Sequence, residues 1–150
     1  MSAGSTDLTE AQAALSARAE AIEECYEFML AYAGQGLGHD QGAGPGTEIR
    51  GFLTRCDEAL TGLADFITGF TARLDLEAAP YAAFMEVIDR DARNAQAAVQ
   101  LVLAQPSISS QLVDNLNASI HLRALLTDLF LIDEVFKGRS ASESGKVRPG

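Results

Sequence analysis

The chain has 150 residues, of which 47% are apolar, and a formal charge of −10. That length and composition suit one domain with a real core and exclude disorder along the whole chain. The negative charge argues against nucleic acid and anionic membrane as main partners, because phosphate recognition needs clustered Lys and Arg.

Residues 1–7 carry neither a basic start nor an apolar core, so they read as a flexible N-terminus and not as a secretory signal. A cytoplasmic location follows as the default expectation. No apolar run approaches the roughly 18 residues needed to span a membrane, and Asp128 and Asp133 interrupt the best candidate.

A first helix is expected from about Leu8 to Ala33. Thr6 or Asp7 can cap it, and Glu10 lies in the first turn, where a carboxylate suits the positive helix end. Leu8, Leu15, Ile22 and Met29 form its apolar row, flanked by Cys25 and Tyr26. Glu20, Glu23, Glu24 and Glu27 take other parts of the surface.

Residues 34–46 hold six glycines, which excludes regular structure there. A phosphate-binding loop would need a preceding strand and a closing Gly-Lys-Ser or Gly-Lys-Thr, and both are missing. The segment reads as a mobile connector.

A second helix is expected from Thr47 or Glu48 to Leu74, with Ile49, Leu53, Cys56, Leu60, Leu63, Ile67 and Phe70 spaced by three and four. A short turn follows. Pro80 fits the first turn of a third helix, where its missing N–H costs nothing. That helix should run to about Ala104, with Phe84, Met85, Ile88, Ala92, Ala95 and Val99 inward.

The fourth helix is expected from Ile108 to Phe136, capped by Ser107 or by Ser109 and Ser110. Its rows, Ile108–Asn115–Leu122–Leu129–Phe136 and Leu112–Ser119–Leu126–Asp133, repeat every seven residues. Such a repeat belongs to helices packed nearly parallel or antiparallel, at roughly 20°. Leu125, Leu131, Ile132 and Val135 lie on its flanks and back, where a lone subunit would leave them wet, so they are candidates for a subunit interface. Residues 138–150 are rich in Gly and Ser and carry basic residues and a proline, and read as a flexible tail.

Four such segments, each roughly 40 Å long at 1.5 Å per residue, predict an all-α fold: an up-down-up-down antiparallel four-helix bundle over 8–137. Counting outward from the turns places Cys25 opposite Cys56, and Asp91 opposite His121 with Arg123 close by. Two thiols alone make a poor zinc site, so two reduced core cysteines are the simpler reading. Asp91, on the border of its apolar stripe, needs a partner, and Arg123 or His121 can supply it.

A carboxylate-bundle metal site would need Glu-x-x-His on two helices, and that motif is absent. No metal and no cofactor are therefore expected. The run Ser119 to Arg123 is similar to the His-x-Leu-Arg of sensor kinases and phosphotransfer bundles. It departs from that pattern because Leu122 follows His121 directly and Ala124-Leu125 replaces the usual Gly or Thr-Pro.

Three function classes follow. The first is a non-enzymatic interaction or assembly protein, homodimeric through helix four. The second is a bundle that binds a small molecule or cofactor. The third is a phosphotransfer or acid–base protein using His121.

Overall fold

The computed structural model describes residues 2–39, 45–73 and 79–147. Those residues are all-helical and contain no strand. They form α1 (Ser2–Ala33), α2 (Pro45–Leu60), α3 (Leu63–Arg73), α4 (Ala79–Leu103), α5 (Ser110–Ala118) and α6 (His121–Val147). The expectations for residues 40–44, for the turn at 75–78 and for 148–150 lie outside the described residues.

Six helices stand where four were expected, because two of the predicted rods are interrupted. The first break is at Thr61-Gly62. Gly62 takes a φ of +67°, a left-handed turn that glycine adopts without steric cost. The carbonyls left at the end of α2 are satisfied from another helix: the Arg18 guanidinium donates to Ala59 at 3.2 Å and to Thr61 at 2.8 Å. The second break is at Ser119-Ile120. The Ser119 N–H closes α5 on the Asn115 and Leu116 carbonyls, and Ile120 takes a φ of +61°. The N-terminus of α5 is capped by Ser109, whose hydroxyl accepts from the Leu112 N–H at 3.1 Å.

The outer ends also differ from expectation. The α1 backbone is helical from Ser2, and α6 continues through Gly138 to Val147 where a tail was expected. A single glycine such as Gly138 costs a helix only about 1 kcal/mol. The Lys137–Asp133 pair, 3.2 Å apart one turn away, adds a little support at that point.

α1 and α4 each pack against α2, α3, α5 and α6. The core between them takes Ile22, Cys25 and Met29 from α1, Leu53 and Cys56 from α2, and Ile67 and Phe70 from α3. α4 adds Ile88, Ala95 and Val99, and α6 adds Leu122, Leu125, Leu129 and Ile132. Each large apolar side chain removed from water contributes roughly 1.5–3 kcal/mol, and these terms together offset the entropy of ordering the helices. Phe70 meets Phe136 with ring centroids 4.9 Å apart, joining α3 to α6, and Phe28 stacks on Phe52 at 4.3 Å, joining α1 to α2.

The first residues after α1 are tied down, contrary to the reading of 34–46 as a free connector. The Leu37 N–H donates to the Ser110 hydroxyl oxygen at 2.9 Å, and the Ser110 N–H donates to the Leu37 carbonyl at 2.8 Å. Ser110 in turn donates its hydroxyl to the Tyr32 carbonyl at 2.6 Å. A buried backbone group needs a partner, and this clasp supplies partners where α1 ends and α5 begins.

Candidate functional site

The seam between α4 and α6 carries the features most suggestive of a site. On α6 the buried stripe is Leu122, Leu125, Leu126, Leu129, Ile132 and Phe136. At 100° per residue, Leu131, Val135 and Asp128 fall together on one shoulder of that stripe and Phe130 on the other. On α4 the shoulder that meets α6 carries Tyr81, Phe84 and Asp91, beside the buried Ile88 and Ala95.

One end of this seam is an apolar groove of about 490 Å³ lined by Pro80, Tyr81, Phe84, Leu131, Ile132 and Val135. About one helical turn further along α6 is Asp128, with its carboxyl in hydrogen-bonding reach of Asp91. Oδ2 of Asp128 is buried and receives no hydrogen bond. Burial first, and Asp91 second, push the Asp128 carboxyl up from its ordinary 3.8 to about 7. A carboxylate buried beside a second carboxyl is costly to ionise, which is the physical cause of that shift.

Asp91, expected to face His121 or Arg123, has a neighbour that was not expected. It lies within hydrogen-bonding reach of Asp128, seven residues beyond His121 in the chain. The physical reason lies in the connections. Residues 104–109 leave the helix, and Arg50 of α2 anchors the segment by donating to the carbonyls of Leu103 at 3.1 Å and Gln105 at 2.7 Å. His121 becomes the first residue of α6 and is half-buried. Arg123 is exposed and turns to the α1 side, where it lines a second groove with Glu23, Tyr26, Leu30, Leu126 and Phe130.

The interface candidates divide. Leu131 is 55% exposed and Val135 37%, as an association surface requires. Leu125 and Ile132 are 0% and 3% exposed. They belong to the core of the single chain, because the stripe of α6 that meets α4 and α1 is wider than the seven-residue seam alone. Phe130, 52% exposed, was missed as a surface residue. Its signal was available: it follows Leu129 by 100°, at the edge of the stripe.

Cys25 and Cys56 do lie together on α1 and α2, both fully buried and both free thiols. A hydrogen bond with Cys25, and then burial, push the Cys56 thiol far up, so it stays protonated and unreactive. Among the described residues no group of three or more His, Cys, Asp or Glu is placed to hold a metal ion, and no helix is long and apolar enough to cross a membrane.

Elsewhere, Asp57 on α2 accepts from Gln96 at 2.9 Å and from Gln100 at 3.0 Å, which joins α2 to α4. A groove between α3 and α4 is lined by Asp65, Glu86, Asp89, Arg90 and Arg93. Arg93 is there paired with Asp89 at 3.0 Å on the surface, a contact of little energetic weight. No protein-family model matches the chain, and no curated protein or solved structure proves significantly similar to it.

Proposed function

We propose that this chain is a non-enzymatic helical interaction or assembly protein that forms homodimers through the outer side of α6. The observation that carries the reading is the placement of exposed apolar side chains. Of the large ones left on the surface, Phe130, Leu131 and Val135 share α6, and Leu131 and Val135 continue into the groove with Tyr81 and Phe84. An apolar surface of that kind, rimmed here by Asp128 and Glu134, usually marks an association site. A two-fold dimer would use the same patch on both subunits.

The architecture behind this reading is four antiparallel rods running up-down-up-down, with α2 and α3 forming the second and α5 and α6 the fourth. Neighbouring pairs support it. Arg18 reaches Ala59 while Phe28 meets Phe52, and Arg50 reaches Leu103 while Asp57 meets Gln96. Phe84 shares a groove with Ile132 while Asp91 meets Asp128, and Tyr32 bonds Ile108 while Ser16 shares a groove with Phe130. A cytoplasmic setting belongs to the same reading, because two adjacent thiols left unpaired suit a reducing compartment.

Sedimentation velocity on the native chain and on Leu131→Lys tests the proposal. The expected result is a dimer that Leu131→Lys converts to a folded monomer. A native chain that is monomeric at high concentration would overturn it.

One observation favours a second reading, a small-molecule binder. The α4–α6 groove, at about 490 Å³, falls in the size range of ligand sites. Native mass spectrometry separates the two: a retained non-protein mass supports a ligand, and a doubled chain mass supports assembly.

A further inference from the structure

We propose that the groove between α1 and α6 is a docking site for a basic amphipathic helix of a partner protein. The groove lies on the side of α6 that faces α1. The association reading rests on the side that faces α4, so the two stand independently.

The groove follows from how the two helices meet. α1 lies against α2 along much of its length and touches α6 more sparingly. A channel is left open above the buried Leu15, Leu126 and Leu129. One stretch of it runs past Leu15 and Ala19, and the next past Tyr26 and Leu30. Glu23 and Phe130 line both stretches, so the channel is continuous. Leu15 and Leu30 are about 22 Å apart along α1 at 1.5 Å per residue, which matches about four turns of a docked helix.

The floor of the channel is apolar and open. Phe130 is 52% exposed and Leu30 51%, and both line the same stretch. Large apolar side chains grouped in this way on a surface mark an interaction site more often than scattered ones do.

The rim is acidic. Glu20, Glu23 and Glu27 follow one another at steps of three and four and so form one ridge along α1. Like charges at that spacing repel and disfavour the helix that carries them. Among the described residues none of the three has an ion-pair partner. Asp133 continues the rim on α6, where Lys137 pairs with it, and Arg123 lines the far end.

Charge decides the occupant. A two-fold copy of this groove would set the glutamate ridge against its own equal, and like charges juxtaposed across an interface are strongly unfavourable. Nucleic acid and anionic lipid are repelled by the same ridge. A small apolar ligand would cover the floor and leave the ridge as it is. A helix with Leu-like anchors on one face and Lys or Arg beside them satisfies floor and rim together. The straight channel between two helices also has the shape into which a third helix packs its ridge of side chains.

The test uses the full chain and a fluorescently labelled synthetic peptide of about 18 residues, long enough to span the groove at 1.5 Å per residue, with Leu on one face and Lys on the other. A second peptide has Glu in place of every Lys. Anisotropy titrations at physiological ionic strength should show binding of the Lys peptide and none of the Glu peptide. Phe130→Ala, and the combined Glu20→Gln, Glu23→Gln and Glu27→Gln, should each weaken binding by about tenfold or more. A control that removes three exposed carboxylates from α2, α4 and α5 (Glu58→Gln, Glu86→Gln and Asp114→Asn) should change it by less than about twofold. Amide shift changes in the native chain on adding the Lys peptide should concentrate on the groove residues of α1 and α6, a readout that needs no variant. Leu131→Ala, on the α4 side, should bind the peptide as the native chain does.

Failure of the Lys peptide to bind, or shifts centred on other helices, would overturn the proposal. So would an unchanged affinity in Phe130→Ala. A control that weakens binding as much as the groove glutamates do would reduce the effect to net charge and overturn it. Tighter binding by Leu131→Ala would show that a second copy fills the groove in the native chain, and would overturn it as well.

Discussion

Tyr32 donates its phenolic hydrogen to the carbonyl of Ile108 at 2.6 Å, with both residues fully buried. The bond spans 76 positions of sequence and joins the end of α1 to the segment that leads into α5. Ser110 completes the junction by donating to the Tyr32 carbonyl. Tyr32→Phe keeps the ring and removes the donor at a buried site. It should cost about 1–3 kcal/mol, the usual penalty for stranding a buried polar group, read as a lower urea midpoint with an unchanged slope. Ser110→Ala, which releases both Tyr32 and Leu37, should cost at least as much.

Ile120 holds a φ of +61° and is 59% exposed. A β-branched residue in the left-handed region is under steric strain, of about 1–2 kcal/mol. Its exposed side chain recovers little of that by packing. Ile120→Gly should therefore raise stability by about 0.5–1 kcal/mol, after allowance for the greater freedom of glycine in the unfolded chain. Thermal or urea unfolding checks the sign. A loss would mean that the Ile120 side chain packs against a partner on this surface.

Leu125 and Leu131 lie six residues apart on α6, but one is in the core and the other on the surface. Leu125→Ala should cost about 2–5 kcal/mol, as cavities in close-packed cores do. Leu131→Ala should leave the stability of the separated subunit within about 0.5 kcal/mol. Its effect should appear as a weaker dimer in sedimentation. Measuring both variants by urea unfolding at low concentration, and then by sedimentation, separates the core role from the surface one.

The thiols offer a further check. Cys25 and Cys56 are both 0% exposed, and Cys56 is held protonated by its neighbour and by burial. At pH 8 the native chain should react with an aromatic disulfide reagent only as fast as it opens, and both thiols should react at once in urea. Fast reaction of one native thiol would show that α1 and α2 separate locally in the folded state.

Much of the fold was legible in the residues. The threefold and fourfold spacing of apolar side chains identified helices throughout, and Ser109 was among the expected caps. Cys25 and Cys56 were expected at one level and are found there, because the α1–α2 register happens to be close to the one implied by the turn midpoint. Pro80 lies in the first turn of α4, where its ring is tolerated. The interruptions were less visible. Thr61-Gly62 sits inside a continuous apolar pattern, and nothing about Ser119-Ile120 requires a left-handed isoleucine.

What the sequence determined by itself is which face of each helix is apolar, and hence that the chain folds as packed helices. What only the tertiary structure decided is how far each helix slides along its neighbour. A slip of seven residues carries a helix through two turns and returns nearly the same face to the seam. The buried pattern survives such a slip almost intact, but the polar residue at the seam does not: His121 gives way to Asp128 opposite Asp91. The connection between α4 and α5 is fixed by Arg50 donating to the carbonyls of Leu103 and Gln105, and by the Tyr32–Ile108 and Leu37–Ser110 bonds. These contacts join residues far apart in the chain, and helical periodicity contains no information about them.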